Sequence, residues 1–125
     1  MRITLVADDT VRYDVTPGPL TIEAPSADTP YTAFHMLASA LAQCTYDTVR
    51  SWATNAGVPS DDLSVEVKLT FSERPHRASD FAVTLIWPSL PEERMASAKR
   101  AGELCAVHQT LTHHPQIDAV VRRGM

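Results

Sequence analysis

The sequence predicts an α+β domain in which an antiparallel sheet is wrapped around one long buried helix, in the order βββ-α-ββ-α-β. Three observations carry this. The first twenty-five residues alternate apolar and polar side chains with the period of two that strands require. The run from Pro30 to Ala56 is apolar or small on nearly every helical face. Two more alternating runs follow, at Leu63–Phe71 and Phe81–Trp87.

Each element follows from local signals. Ile3, Leu5 and Ala7, then Val11, Tyr13 and Val15, then Leu20 and Ile22 mark three short strands, read as an antiparallel start with turns at Asp8-Asp9 and Thr16-Pro17-Gly18-Pro19. Ala24 to Pro30 is a loop, with Asp28 or Thr29 as the helix cap and Pro30 at the first helical position, where its missing N–H costs nothing. The helix runs to Asn55-Ala56-Gly57, stopped by Gly57 and Pro59. Phe34, Leu37, Leu41, Cys44, Thr48 and Trp52 share one face, but Met36, Ala40, Ala42, Tyr46, Val49 and Ala53 make most other faces apolar or small. Such a helix needs cover from a sheet and from a second helix or subunit, so a homodimer is expected. After the strand pair, Pro88-Ser-Leu-Pro91-Glu-Glu opens a second helix that carries Met95, Ala98, Ala101 and Leu104 and delivers Cys105 near its end. Val107–Leu111 reads as a further helical turn, His113-His114-Pro115 as a break, and Ile117–Val121 as a last strand.

At 125 residues the chain is one domain, residues 1–125, large enough for a single core. Eleven Lys and Arg against fifteen Asp and Glu make it mildly acidic, and no basic cluster exceeds Arg122-Arg123, which argues against nucleic acid as a partner. The start, Met1-Arg-Ile-Thr-Leu-Val, reads into a strand rather than a secretory signal, and no apolar run has the length to span a bilayer. A cytoplasmic location is therefore expected, where structural disulfides are rare.

Cys44, inside the long helix, and Cys105, at the end of the second, carry the chemistry this sequence offers. Free cysteine is among the most buried residue types, so either thiol could be an inert core group. A reactive pair is the other reading. His108 could donate a proton near the thiols or serve as a capping or backbone-bonded imidazole. Asp47 and Arg50 are spaced for an intrahelical ion pair. The histidines lack a Cys-x-x-Cys or a His-x-x-x-His pair, so no metal is expected, and His76, His113 and His114 read as turn or loop residues. Tyr31, Phe34, Met36 and Trp52 read first as packing, with some of them lining the mouth of any pocket.

Pro30-Tyr-x-x-x-x-x-Leu-Ala-x-Ala-Leu-Ala-x-Cys44, the strand pair after it, the helix start at Leu90-Pro-Glu-Glu and Cys105-x-Val-His-x-Thr-Leu111, taken in order, resemble the OsmC/Ohr family of organic-hydroperoxide-reducing proteins. The last segment is close to that family's Cys-Pro-Val-His-x-Thr-Leu. The resemblance implies an OsmC-like fold in an intertwined homodimer, with a cofactor-free thiol peroxidase site at the subunit interface. It makes Cys44 the peroxidatic thiol and Cys105 the resolving one, with Arg12 (Arg2 being the weaker match) as the cation that favours the thiolate. Tyr31, Phe34, His35 and His108 would then border a small hydrophobic hydroperoxide, and a dithiol would be the reductant. The family places a glutamate about three helical turns before the cysteine to hold that arginine. Here Phe34 and His35 stand there. That departure keeps a second reading open, a non-catalytic redox-sensing or small-ligand-binding dimer. A structural dimer with two inert thiols is a third.

Overall fold

The computed structural model describes residues 1–124. Strands β1 (Arg2–Ala7) and β2 (Thr10–Asp14) form a hairpin, and β3 (Thr21–Glu23) follows. Helix α1 (Ala33–Ala56) crosses the sheet before the long hairpin of β4 (Ser64–Ser72) and β5 (Arg77–Ile86). A single 3₁₀ turn at Glu92–Arg94 leads into α2 (Met95–Glu103), and α3 (Ala106–Thr112) closes the ordered elements. The five strands form one sheet in the order β3-β1-β2-β4-β5. The α+β architecture expected from the sequence is present.

The sheet is mixed, which corrects the antiparallel start. β3 pairs with β1 in parallel, Arg2 opposite Thr21 and Thr4 opposite Glu23. The reason lies in the strand order: β4 occupies the free edge of β2, so the returning chain can pair only on the far side of β1. The link between β2 and β3 wraps over the N-terminus, with the Thr21 N–H donating to the Met1 carbonyl and the Met1 ammonium to the Thr16 carbonyl.

Alternation along the strands sends Ile3, Leu5, Val11, Tyr13, Val65 and Val67 into the core beneath α1. The opposite face is polar and carries the cross-strand ion pairs Arg2–Asp14 and Arg12–Glu66. Ala38, Leu41, Ala42, Tyr46, Val49 and Ala53 of α1 are buried. A fully buried Leu or Val of this kind contributes about 1.5–3 kcal/mol relative to its exposed state. A third face of α1 is not covered by its own chain: Met36 is 56% and Leu37 37% exposed.

The start of α1 also differs from expectation. Thr32, not Asp28 or Thr29, is the cap, and Pro30 lies outside the helix. Thr32 Oγ1 accepts from the His35 backbone N–H at 3.4 Å while His35 Nδ1 accepts from the Thr32 backbone N–H at 2.9 Å. This is the reciprocal capping arrangement usually built with Glu or Gln, with an imidazole in the third position. The C-terminus is as expected: Gly57, at φ 71°, donates its N–H back to the last turn.

Residues 117–121 form no strand. Ile117 is 86% and Val121 93% exposed. An apolar pattern specifies a strand only where an edge pairs with it, and among the described residues no strand does so here. Asp47 and Arg50 do not form the expected ion pair and both face solvent. Among the described residues, no helix is long and apolar enough to cross a membrane.

Candidate active site

Helices α1 and α2 pack in close contact because α2 carries Gly102 at the crossing. A Cβ there would sit 3.4 Å from the methyls of both Thr45 and Val49. The close approach brings the end of α2 down onto the middle of α1, and with it Cys105. The chain bends at that point, so Cys105 leaves α2 and becomes the cap of α3, its Sγ accepting the His108 backbone N–H at 3.2 Å. Thr45 Oγ1 lies 3.7 Å from the same sulfur.

The two cysteines meet here. The Cys44 thiol is close enough to Cys105 to act on its ionisation, and both thiols are free. Their surroundings differ. Cys105 is 1% exposed, whereas Cys44 is half-buried at the edge of the core. Burial pushes the Cys105 thiol above its ordinary value of 9.0. The His108 N–H and the Thr45 hydroxyl act against that rise, and the neighbouring Cys44 adds to it. Cys105 is thus a protonated thiol at neutral pH, held in place by two hydrogen bonds.

A groove of about 690 Å³ opens between β5 and α2. Phe81, Val83 and Leu85 form one wall, Leu90 and Met95 the other, and Thr45, Gly102 and His108 the end nearest Cys105. A second cavity, of about 370 Å³, lies at the start of α1 between Phe34, His35, Phe71 and His76.

The expected site residues divide between these places. Cys44, Cys105 and His108 come together, His108 through its backbone N–H. His35 is 5% exposed and satisfied at both ring nitrogens, Nδ1 by Thr32 and Nε2 by donation to the Asp8 carbonyl at 2.7 Å. Tyr31 stacks on His35 and shares a 2.9 Å hydrogen bond with Ser39. Phe34 packs edge-on against Phe71. These three belong to the N-terminal end of α1. Arg12 lies on the sheet face opposite α1, between the inward-facing Val11 and Tyr13, with Nε and Nη2 each 3.0 Å from Glu66 Oε1. In this geometry it does not reach the Cys44 of its own chain. Arg2 is likewise engaged, by Asp14.

Two participants were not singled out from the sequence. Thr45 was legible as a polar residue in an otherwise apolar stretch of helix, and Gly102 as a glycine inside a helix, where it costs stability unless close packing requires it. Among the described residues, no three His, Cys, Asp or Glu side chains are grouped to hold a metal ion.

Comparison with known proteins agrees with this architecture. A solved structure described as an osmotic stress induced and detoxification response protein, from Psychrobacter arcticus 273-4, superposes with a TM-score of 0.61 at 16% sequence identity. The match covers 67% of this chain and 62% of that one, so the chain spans less than two-thirds of that protein's length. No curated protein matches. The sequence matches the OsmC-like protein family over residues 26–120, which include α1, both long strands and both cysteines, and the chain belongs to that family.

Proposed function

We propose that this protein is a thiol peroxidase for hydrophobic organic hydroperoxides, with Cys44 as the attacking thiol and Cys105 as the resolving one. The observation that carries the reading is the pairing of one accessible and one buried thiol at the meeting point of α1 and α2. The Cys44 thiolate attacks the terminal peroxide oxygen, the O–O bond breaks, and the alkoxide takes a proton and leaves as the alcohol. The resulting sulfenic acid condenses with the Cys105 thiol, forming the disulfide and releasing water. A thiol already in contact intercepts the sulfenic acid before a second peroxide can oxidise it further. Two equivalents of reductant thiol restore the starting state. A role in stress defence accords with the description of the similar Psychrobacter arcticus protein.

The same reading makes the protein a homodimer, in which a second copy covers the exposed Met36 and Leu37 face of α1. Light scattering at micromolar concentration is expected to give twice the chain mass. A folded monomer would contradict it.

A non-catalytic redox-sensing or ligand-binding role is favoured by one specific observation, the Arg12–Glu66 pair on the far side of the sheet, which leaves the thiolate without that cation from its own chain. If Arg12 acts at Cys44, it is the Arg12 of a second copy. The deciding experiment is consumption of cumene hydroperoxide in the presence of a dithiol, compared for the wild type and Cys44→Ser. Turnover that is lost in Cys44→Ser supports the peroxidase. A wild type that forms the disulfide once without turning over supports the sensor.

A further inference from the structure

We infer that Cys105 couples the oxidation state of the protein to the folding of α3: formation of the Cys44–Cys105 disulfide withdraws the sulfur that caps α3, and that helix opens while α1 stays in place. The inference rests on the disulfide proposed above and adds a conformational output to it.

Helix α3 depends on its cap more than α1 does. It has seven residues, Ala106–Thr112, too few to be stable in water without outside support. None of them is buried, and only Val107 and Leu111 pack in part against the core. Its first turn holds no acidic residue to favour the helix dipole. The side chain that caps its N-terminus is Cys105, whose Sγ accepts the His108 N–H at 3.2 Å. Beyond Thr112 the chain through residue 124 forms no element that would hold α3 from its other end. By contrast, α1 has twenty-four residues, with Leu41, Ala42, Thr45 and Tyr46 buried around Cys44.

The sulfur cannot serve both partners. In the reduced protein it accepts the His108 N–H and lies 3.7 Å from Thr45 Oγ1, with Cys44 as an unbonded neighbour. Condensation of the Cys44 sulfenic acid with the Cys105 thiol forms the S–S bond and releases water, and it requires the two sulfurs to close to bonding distance. Cys44 is fixed in mid-helix by its buried neighbours, so the movement falls on Cys105, where the chain bends from α2 into α3. Its Sγ turns from the His108 N–H toward α1, and the N-terminus of α3 loses its acceptor. Reduction to the two thiols restores it. The reduced protein thus presents a closed α3, and the oxidised one uncovers Val107 and Leu111.

The test is backbone amide hydrogen exchange, read by mass on the peptide covering residues 106–112. Wild type is compared before and after one equivalent of cumene hydroperoxide, with the Cys44–Cys105 link verified by peptide mass and every quenched sample reduced by a phosphine before digestion. Exchange in 106–112 is expected to rise about fivefold on oxidation, the size of a lost cap, with residues 38–53 of α1 unchanged. Equal protection of 106–112 in the linked and reduced forms would overturn the inference. Two variants separate the cap from the disulfide. Cys105→Ala has neither, and without peroxide it should exchange in 106–112 as fast as the oxidised wild type. Cys105→Ser, whose hydroxyl caps in place of the sulfur, should keep the reduced wild-type protection with or without peroxide. A Cys105→Ala protein protected like the reduced wild type would contradict the coupling. If that variant does not fold, Cys105→Ser still decides, because loosening of α3 by peroxide in a protein that has no link to form would contradict it equally. A wild type that forms no link overturns the disulfide and its oxidative trigger together, whereas the two variants report on the cap alone, which keeps the two failures apart.

Discussion

The two ends of the cysteine half and the cap half of α1 are built from similar residue types and do different things. At the N-terminal end, His35, Tyr31 and Thr32 form a closed hydrogen-bond set in which both imidazole nitrogens and the tyrosine hydroxyl have partners. Ten residues on from Phe34, the helix presents a thiol beside a second thiol, next to the Thr45, Gly102 and His108 that form one end of the groove between β5 and α2. Histidines and aromatics around a cavity are not a reactive site when their polar atoms are already occupied by the fold. The two free sulfurs that are neighbours at the α1–α2 contact are where the proposed peroxidase reading puts its chemistry.

The largest effect expected from this contrast is at Cys105. Cys105→Ser should allow one round of peroxide attack and then lose turnover, with Cys44 accumulating as sulfinic acid under excess peroxide. Sustained turnover in that variant would make Cys105 a packing residue. His35→Ala should destabilise the fold by about 2 kcal/mol, through loss of the reciprocal cap and of the partner to the Asp8 carbonyl. His35→Gln should recover part of that loss, since Gln serves in the same capping position. Chemical denaturation measures both. If His35→Ala instead slowed Cys44 oxidation at full stability, the cap end would belong to the site after all.

Alkaline pH gives a smaller and graded signal. The folded Cys105 thiol titrates above its unfolded value, so folding holds a proton that the unfolded chain gives up. Its contribution to stability is complete below the unfolded value and is lost as pH rises through the folded one. Stability should therefore fall above about pH 9, and Cys105→Ala should flatten that fall; Tyr13 and Tyr46, also raised by burial, add to the slope higher up. Arg12→Ala should have the least effect on folding, at most about 1 kcal/mol for a partly exposed pair. If Arg12 serves only this pair, Arg12→Ala should leave the rate of Cys44 alkylation at fixed pH at the wild-type value, and a marked fall in that rate would assign the cation to the Arg12 of a second copy.

Much of this was legible in the sequence because the signals were local. Alternation placed β1, β2, β4 and β5, and Gly57 fixed the end of α1. The same alternation, followed one step further, turns Arg12 outward once Val11 and Tyr13 point inward. The start of α1 was misplaced because a histidine does the work that a Glu or Gln signals. β3 was misread because its neighbour is chosen by which edge β4 has taken, a long-range fact. Residues 117–121 show the limit of pattern alone. The groove could not be read at all, since β5 and α2 meet only in three dimensions.

The central claim is that Cys44 and Cys105 act as one redox unit, and mapping the protein by peptide mass after one equivalent of cumene hydroperoxide tests it directly. The account predicts a single Cys44-to-Cys105 linked peptide, reversed by a dithiol, with both thiols lost together. Sulfinic acid on Cys44 with Cys105 still a free thiol would contradict it.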